Sequence, residues 1–192
     1  SLSIELSNNL TLYWDAQKIW LPKAIVFYND GSISDLKNST YLHYSYLGSL
    51  LWAFFWKISN FNYEYFGRMF YVALYIFALF NFLQLIKVEK YIKIISLLIL
   101  ILITYDYWHF RGTQEILIFS FLLILSKFSF NLISENKNIR FNLIIIFLFL
   151  NLIIWTKNEG IILSILILSI LLVFLKEKIK FKFILLFILL SL

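Results

Sequence analysis

The sequence predicts an all-α, polytopic integral membrane protein, and three observations carry this prediction. The 192 residues are 61% hydrophobic and only 15% charged, whereas a soluble domain is about a quarter charged. The apolar residues are gathered in long runs that suit the hydrocarbon core of a bilayer. The positive charges lie in short loops between these runs, where they act as topology signals. Strands are not expected in such runs, because an open sheet edge cannot satisfy its backbone groups in lipid.

The apolar runs predict a single transmembrane domain over 1–192. Five complete spanning helices and the start of a sixth are predicted at about 69–86, 91–105, 116–133, 141–155, 161–175 and 183–192. The polar segment 1–68 is predicted to be an outward loop. Within it, 46–56 is aromatic but too short to span, so we expect a helix lying in the membrane interface. Because the chain starts at Ser1 and stops inside an apolar run, we expect a fragment that lacks both its N- and C-terminal parts.

Lysine and arginine predict which side of the membrane each loop faces. Alternate short loops carry ten positive charges against two, and basic loops stay in the cytoplasm. The basic loops hold Lys87, Lys90, Lys93, Lys127, Lys137, Arg140, Lys176, Lys178, Lys180 and Lys182, and the intervening loops hold Arg111 and Lys157. We therefore expect a multi-pass protein of the bacterial inner membrane. The segments 1–68, 105–115 and 157–160 would then share its outer, periplasmic face.

Several function classes are disfavoured by composition and motifs. The net charge of +6 is explained by the loops, so no nucleic-acid partner is expected. Because the chain has no cysteine, disulfide and thiolate chemistry is impossible. It also lacks the Gly-rich phosphate loop and the G-x-S-x-G motif. An enzyme on the outer face would therefore need an activated substrate that is already in the membrane.

Ionisable residues stand at the membrane boundaries of the three outward segments. Glu115 begins a predicted helix, where the helix dipole favours a carboxylate; it is either a simple N-terminal charge or the floor of an outward cavity. Lys157 could pair with Glu159 or face an anionic lipid phosphate. The two histidines, His43 and His109, leave a His/carboxylate metal site open. The convergence of these groups on one face favours a function there.

The order of the polar motifs resembles a known family. The motifs are Trp14-Asp15 with Lys23-Ala24, Tyr41-Leu42-His43-Tyr44-Ser45-Tyr46-Leu47, Gly112-Thr113-Gln114-Glu115 and Thr156-Lys157-Asn158-Glu159-Gly160. Over about Trp14 to Leu175 the chain resembles bacterial membrane glycosyltransferases of the GT-C fold, near the family 39 protein mannosyltransferases and aminoarabinose transferases. Two positions depart from the family pattern: Ser45 replaces a proline, and Glu115 replaces an aspartate.

The resemblance implies a GT-C-like helical bundle and an activity. Such enzymes transfer a hexosyl or pentosyl group from a polyprenyl-phosphate carrier to a lipid, glycan or protein acceptor outside the membrane. It implies Asp15 as general base, Glu115 as a catalytic group that orients the acceptor, and Lys157 or Arg111 as the cation for the donor phosphate. Substrate contacts are expected from Lys23, His43, Glu159 and Trp14. A divalent metal, if used, would have Asp15, Glu115 and His109 as candidate ligands.

Two other classes remain open. A transporter or flippase of lipid-linked substrates should carry ionisable residues at mid-membrane and broken helices. The predicted spans contain Asn81, Gln84 and Asn151, and we expect no charge inside them, which counts against transport. A non-catalytic membrane subunit would tolerate alanine at Asp15, Glu115 and Lys157.

Overall fold

Helices make up most of the chain in the computed structural model, which describes residues 11–38, 41, 43–104, 111–134 and 138–175. Seven α-helices occur there: α1 (Leu21–Tyr28), α2 (Leu47–Ser59), α3 (Tyr65–Leu83), α4 (Lys90–Thr104), α5 (Glu115–Ser134), α6 (Ile139–Thr156) and α7 (Glu159–Leu175). A π-helical turn, Ala16–Trp20, leads into α1, and a 3-10 turn covers Ile33–Asn38. These ranges contain no strand, which confirms the all-α prediction.

Of the seven helices in the described ranges, three are long and apolar enough to cross a membrane, namely α3, α5 and α6. They lie over the runs predicted at 69–86, 116–133 and 141–155. Helices also occupy the runs at 91–105 and 161–175, but α4 has 15 residues and α7 has 17, fewer than the roughly 20 that a bilayer core requires. The run 183–192 lies outside the described residues.

The core of the bundle lies where α3, α5 and α6 pack together. α5 contacts both α3 and α6, while α4 lies against α3 and α7 against α6. Tyr71, Leu117 and Ile146 are among the buried residues that fill this core. No residue of α4 is fully buried. Leu97, Leu100 and Ile101 are partly buried against the core, and most of its other apolar side chains are exposed, as on a helix that faces lipid.

The helices α1 and α2 cover the end of the bundle where α3 and α5 begin. The segment 46–56, predicted to lie in the interface, belongs to α2, whose Trp52 is buried in the core. The Trp52 indole N–H donates to the Glu64 carbonyl at 2.9 Å. A Cβ on Gly67 would lie 2.3 Å from the Trp52 carbonyl oxygen, so glycine permits this close approach of α3 to α2.

The position of Lys127 within a helix differs from two predictions made from the sequence. Lys127 was expected in a basic loop, but it lies within α5, seven residues before the helix ends at Ser134. The prediction of spans without charge is therefore wrong for this helix. The Lys127 ammonium donates to the side-chain oxygens of Asn81 at 3.1 Å and Gln84 at 2.5 Å. A lysine can occupy such a position because its long stem packs along apolar surface while its charge finds polar partners.

Candidate active site

Three segments that are far apart in the sequence meet at the end of the bundle covered by α1 and α2. The Tyr13 N–H donates to the Arg111 carbonyl at 3.0 Å. The Asn158 side-chain amide donates to the His43 carbonyl at 3.4 Å. Lys157 contacts Glu115. These contacts join the N-terminal loop, the start of α5 and the turn between α6 and α7.

Lys157 lies at the centre of this junction. Its Nζ is 2.6 Å from Glu115 Oε1 and 3.7 Å from Glu159 Oε1. The backbone at Lys157 is extended, with φ −156° and ψ 149°, so α6 ends there and α7 begins at Glu159. Both carboxylates occupy the first position of a helix, where the helix dipole stabilises negative charge.

The charges around Lys157 decide its protonation. Burial lowers the pKa of Lys157, but the hydrogen bond and charge of Glu115 and the charges of Glu159 and Asp15 raise the pKa by more, so it lies above its ordinary value. The side chain is therefore an ammonium ion at neutral pH. Asp15 is half-buried at the N-terminal end of the π-helical turn, close enough for its charge to act on Lys157.

Gly112 holds the loop around Asp15 against the start of α5. Its φ is +86°, a backbone conformation that residues other than glycine rarely adopt. A Cβ there would lie 2.9 Å from Ala16 Cβ and 3.0 Å from the Trp52 ring. Because Ala16 is fully buried in this contact, the backbone at the neighbouring Asp15 is held against the loop that leads into α5.

A buried polar layer beneath the site was not predicted. The Gln114 side-chain amide donates to the Tyr71 hydroxyl at 3.3 Å and to the Gly112 carbonyl at 3.4 Å. The Tyr71 hydroxyl in turn donates to the Gly48 carbonyl at 3.1 Å. Glycine at position 48 leaves room for this amide, since a Cβ would lie 1.4 Å from Gln114 Oε1. Gln114 stands next to Glu115, but its sequence position gives no sign that it is buried.

A second unpredicted feature is the ion pair between Arg68 and Glu64. The guanidinium is fully buried and donates to the two carboxylate oxygens at 2.7 and 3.0 Å. It also lies over the Trp52 ring, 5.8 Å from its centre. Burial raises the pKa of Glu64, and the charge of Arg68 only partly opposes this effect. The spacing of four residues, typical of helical ion pairs, is the sequence signal that could have found it.

The remaining predicted substrate contacts divide into exposed and buried side chains. Trp14 is exposed, and its ring centre is 6.5 Å from that of Tyr41. His43 is also exposed, with its ring centre 4.8 Å from that of Tyr44. Lys23, in contrast, is fully buried and donates to the Tyr44 carbonyl at 2.5 Å. Burial lowers the pKa of Lys23 to about 8.

The predicted metal ligands are only partly described. His109 lies outside the described residues. Within the described part of the chain, no group of three or more His, Asp or Glu side chains is arranged to hold a metal ion. Glu115 pairs with the Lys157 ammonium, which neutralises this carboxylate without a metal. Metal binding therefore stays a prediction.

Comparison with known proteins finds no matching family model, no similar curated protein and no similar solved structure.

Proposed function

We propose that this protein transfers a sugar from a polyprenyl-phosphate carrier to an acceptor at the membrane surface, with Asp15 as the general base. The supporting observation is the cluster around Lys157, which gathers one ammonium and the carboxylates of Asp15, Glu115 and Glu159 at one end of the bundle. Sugar transfer needs a base for the acceptor and a cation for the leaving phosphate. This cluster contains both kinds of group.

In the proposed reaction, the acceptor hydroxyl or amine attacks the anomeric carbon of the sugar. A new bond forms between the acceptor atom and this carbon as the bond from the carbon to the phosphate oxygen breaks. The electron pair leaves with the polyprenyl phosphate, and the acceptor proton passes to Asp15. A positioned general base typically accelerates such a step about 100- to 10,000-fold.

Lys157 is the proposed cation for the leaving phosphate. Glu159 is its more distant partner, at 3.7 Å, and has a side chain 60% exposed. A phosphate can take the place of this carboxylate while Glu115, at 2.6 Å, keeps the ammonium oriented. A fixed cation beside a phosphate stabilises the charge that grows as the bond breaks. Arg111, whose carbonyl binds the Asp15 loop, is the second candidate.

The exposed rings of Trp14 and His43 lie in the same junction and are proposed to contact the sugar. Aromatic faces offer flat apolar surface to sugar rings, and the ring contacts with Tyr41 and Tyr44 restrict their motion. Lys23 contributes from its buried position by holding the Tyr44 backbone.

The direct test is transfer of a radiolabelled sugar from polyprenyl phosphate in membranes that contain the protein. Asp15→Asn removes the base with almost no change in shape, and should lower transfer at least 100-fold at equal expression. Asp30→Asn is the matched control, because Asp30 lies in the same N-terminal region but pairs with exposed Lys57. Transfer that survives in Asp15→Asn, or falls equally in both variants, would refute the role of Asp15.

We further propose that this end of the bundle faces the periplasm of the inner membrane. The natural absence of cysteine allows a clean test with single-cysteine variants. Ser34→Cys, in the exposed 3-10 turn, should react with a membrane-impermeant maleimide in spheroplasts, whereas Lys87→Cys should react only after permeabilisation. The reverse pattern would invert the proposed orientation.

Transport of a lipid-linked substrate is the second candidate, and Lys127 is the observation that favours it. A charge within a membrane-length helix is typical of substrate pathways. The helices α3, α5 and α6 are nevertheless continuous, without the breaks that transporters place at their binding sites. Lipid-linked sugar that crosses the bilayer of proteoliposomes without being transferred to an acceptor would favour transport.

A further inference from the structure

A cavity of about 410 Å³ lies at the opposite end of the bundle from Lys157, between the end of α3 and the start of α4. Leu83, Ile94 and Leu97 contribute an apolar lining, and Gln84, Lys90 and Lys93 contribute polar groups. Its volume is within the range of sites that bind small ligands. The Lys157 cluster is not part of this cavity, so a ligand bound here is independent of the proposed transferase activity.

The polar part of the cavity is positively charged. Lys90 and Lys93 are three residues apart on α4, which places them on the same helix face. They occupy the first turn of this 15-residue helix, whose dipole adds partial positive charge. Within the described residues, neither lysine forms an ion pair with an acidic side chain. The cavity therefore suits an anion.

Gln84 connects this cavity to a third cation. Its side-chain oxygen accepts a hydrogen bond from Lys127 at 2.5 Å. Lys127 also contacts Asn81, so its ammonium is fixed beside the last turn of α3. This arrangement adds positive charge to the side of the cavity formed by α3. Because the oxygen of the Gln84 amide is used by Lys127, its N–H groups are the donors that remain for a ligand.

We propose that this cavity binds the headgroup phosphate of an anionic phospholipid from the surrounding bilayer. The apolar lining selects a lipid over a soluble phosphate, since acyl chains can lie against Phe80, Leu97 and the exposed apolar surface of α4. Basic pockets between membrane helices are known to recognise anionic headgroups in this way. The basic loops predict that the lipid belongs to the cytoplasmic leaflet.

The test is a lipid titration of the purified chain in neutral detergent, followed by native mass spectrometry. Phosphatidylglycerol and phosphatidylcholine with identical acyl chains are compared. The double variant Lys90→Gln/Lys93→Gln should bind phosphatidylglycerol about 10- to 30-fold more weakly, from about 1 kcal/mol for each lysine. Its binding of phosphatidylcholine should be unchanged. Lys87→Gln/Arg140→Gln is the matched control, because it removes two exposed charges from the same predicted basic loops that do not line the cavity.

Val88 provides a second variant that leaves every charge in place. It lines the cavity and is 37% exposed, so Val88→Trp should fill the cavity and weaken phosphatidylglycerol binding without unfolding the chain. Three results would overturn the proposal. These are unchanged lipid binding in either cavity variant, an equal loss in the control, and full competition by inorganic phosphate, which would assign the site to a soluble anion.

Discussion

The Lys157 ammonium lies 2.6 Å from Glu115 Oε1, and this ion pair joins the turn between α6 and α7 to the start of α5. The two residues are 42 positions apart, so the pair restrains two helices that are separate in the sequence. The Lys157 side chain is 18% exposed and that of Glu115 is 47% exposed. Solvent therefore weakens the ion pair, and its contribution to stability is small. Its main consequence is the position of the Lys157 ammonium, which also lies 3.7 Å from Glu159 and within reach of the charge of Asp15.

The strength of this pair can be measured with a double-mutant cycle of Lys157→Gln and Glu115→Gln. We expect a coupling free energy of about 0.5 to 1 kcal/mol in chemical denaturation of the detergent-solubilised protein, because partly exposed pairs contribute little. The cycle of Lys157→Gln with Glu159→Gln should give a smaller coupling, since that contact is 3.7 Å long. Equal couplings for the two carboxylates would contradict the closer contact of Lys157 with Glu115.

Gly112→Ala should destabilise the protein by about 1 to 3 kcal/mol, because alanine at a φ of +86° is strained. The new methyl group would also press on Ala16 and Trp52. The loss should appear as a lower melting temperature. Gly112→Asn is the informative comparison, since asparagine tolerates positive φ better but is larger. If both variants melt like the wild type, Gly112 does not fix the Asp15 loop.

Gly48→Ala should also be destabilising, but for a reason that a second substitution can remove. Its methyl group would occupy the position of Gln114 Oε1 and displace the amide from Tyr71. Gln114→Ala opens this space, so Gly48→Ala/Gln114→Ala should be more stable than additive single losses imply. Thermal unfolding of the four proteins measures this difference. Strict additivity would show that Gly48 and Gln114 do not contact each other.

The elements that the sequence predicted well are those determined by local patterns. The helices α5 and α6 begin and end within two residues of the predicted runs at 116–133 and 141–155, because uninterrupted apolar runs mark them. The identity of the residues around Lys157 was also predictable, since Glu115, Lys157 and Glu159 stand at the ends of the apolar runs. The mutual distances were not, because they depend on how α5 packs against α6 and α7.

The failures have a common physical cause. Lys127 was assigned to a loop because a lysine in an apolar run is unfavourable in isolation, and only the fold reveals that Asn81 and Gln84 meet its charge. Arg68 is accepted in the core because Glu64 and Trp52 surround it. Long-range polar partners of this kind leave no periodic pattern in a single sequence.

Lys23 should make the stability of the protein depend on pH in the alkaline range. Burial lowers the pKa of its ammonium from 10.5 to about 8, so between these values the unfolded chain binds more protons than the folded one. Stability therefore rises with pH in this window, and the full cost of burying the charge is present below pH 8. Relative to Lys23→Met, the wild type should gain about 2 kcal/mol between pH 7 and 9.5. Chemical denaturation at several pH values measures this difference.

Lys18→Met is the control, because Lys18 belongs to the preceding turn and is exposed, so the wild type should gain nothing relative to it. A difference between wild type and Lys23→Met that is constant with pH would mean that the Lys23 ammonium is solvated and that its contact with Tyr44 does not bury the charge.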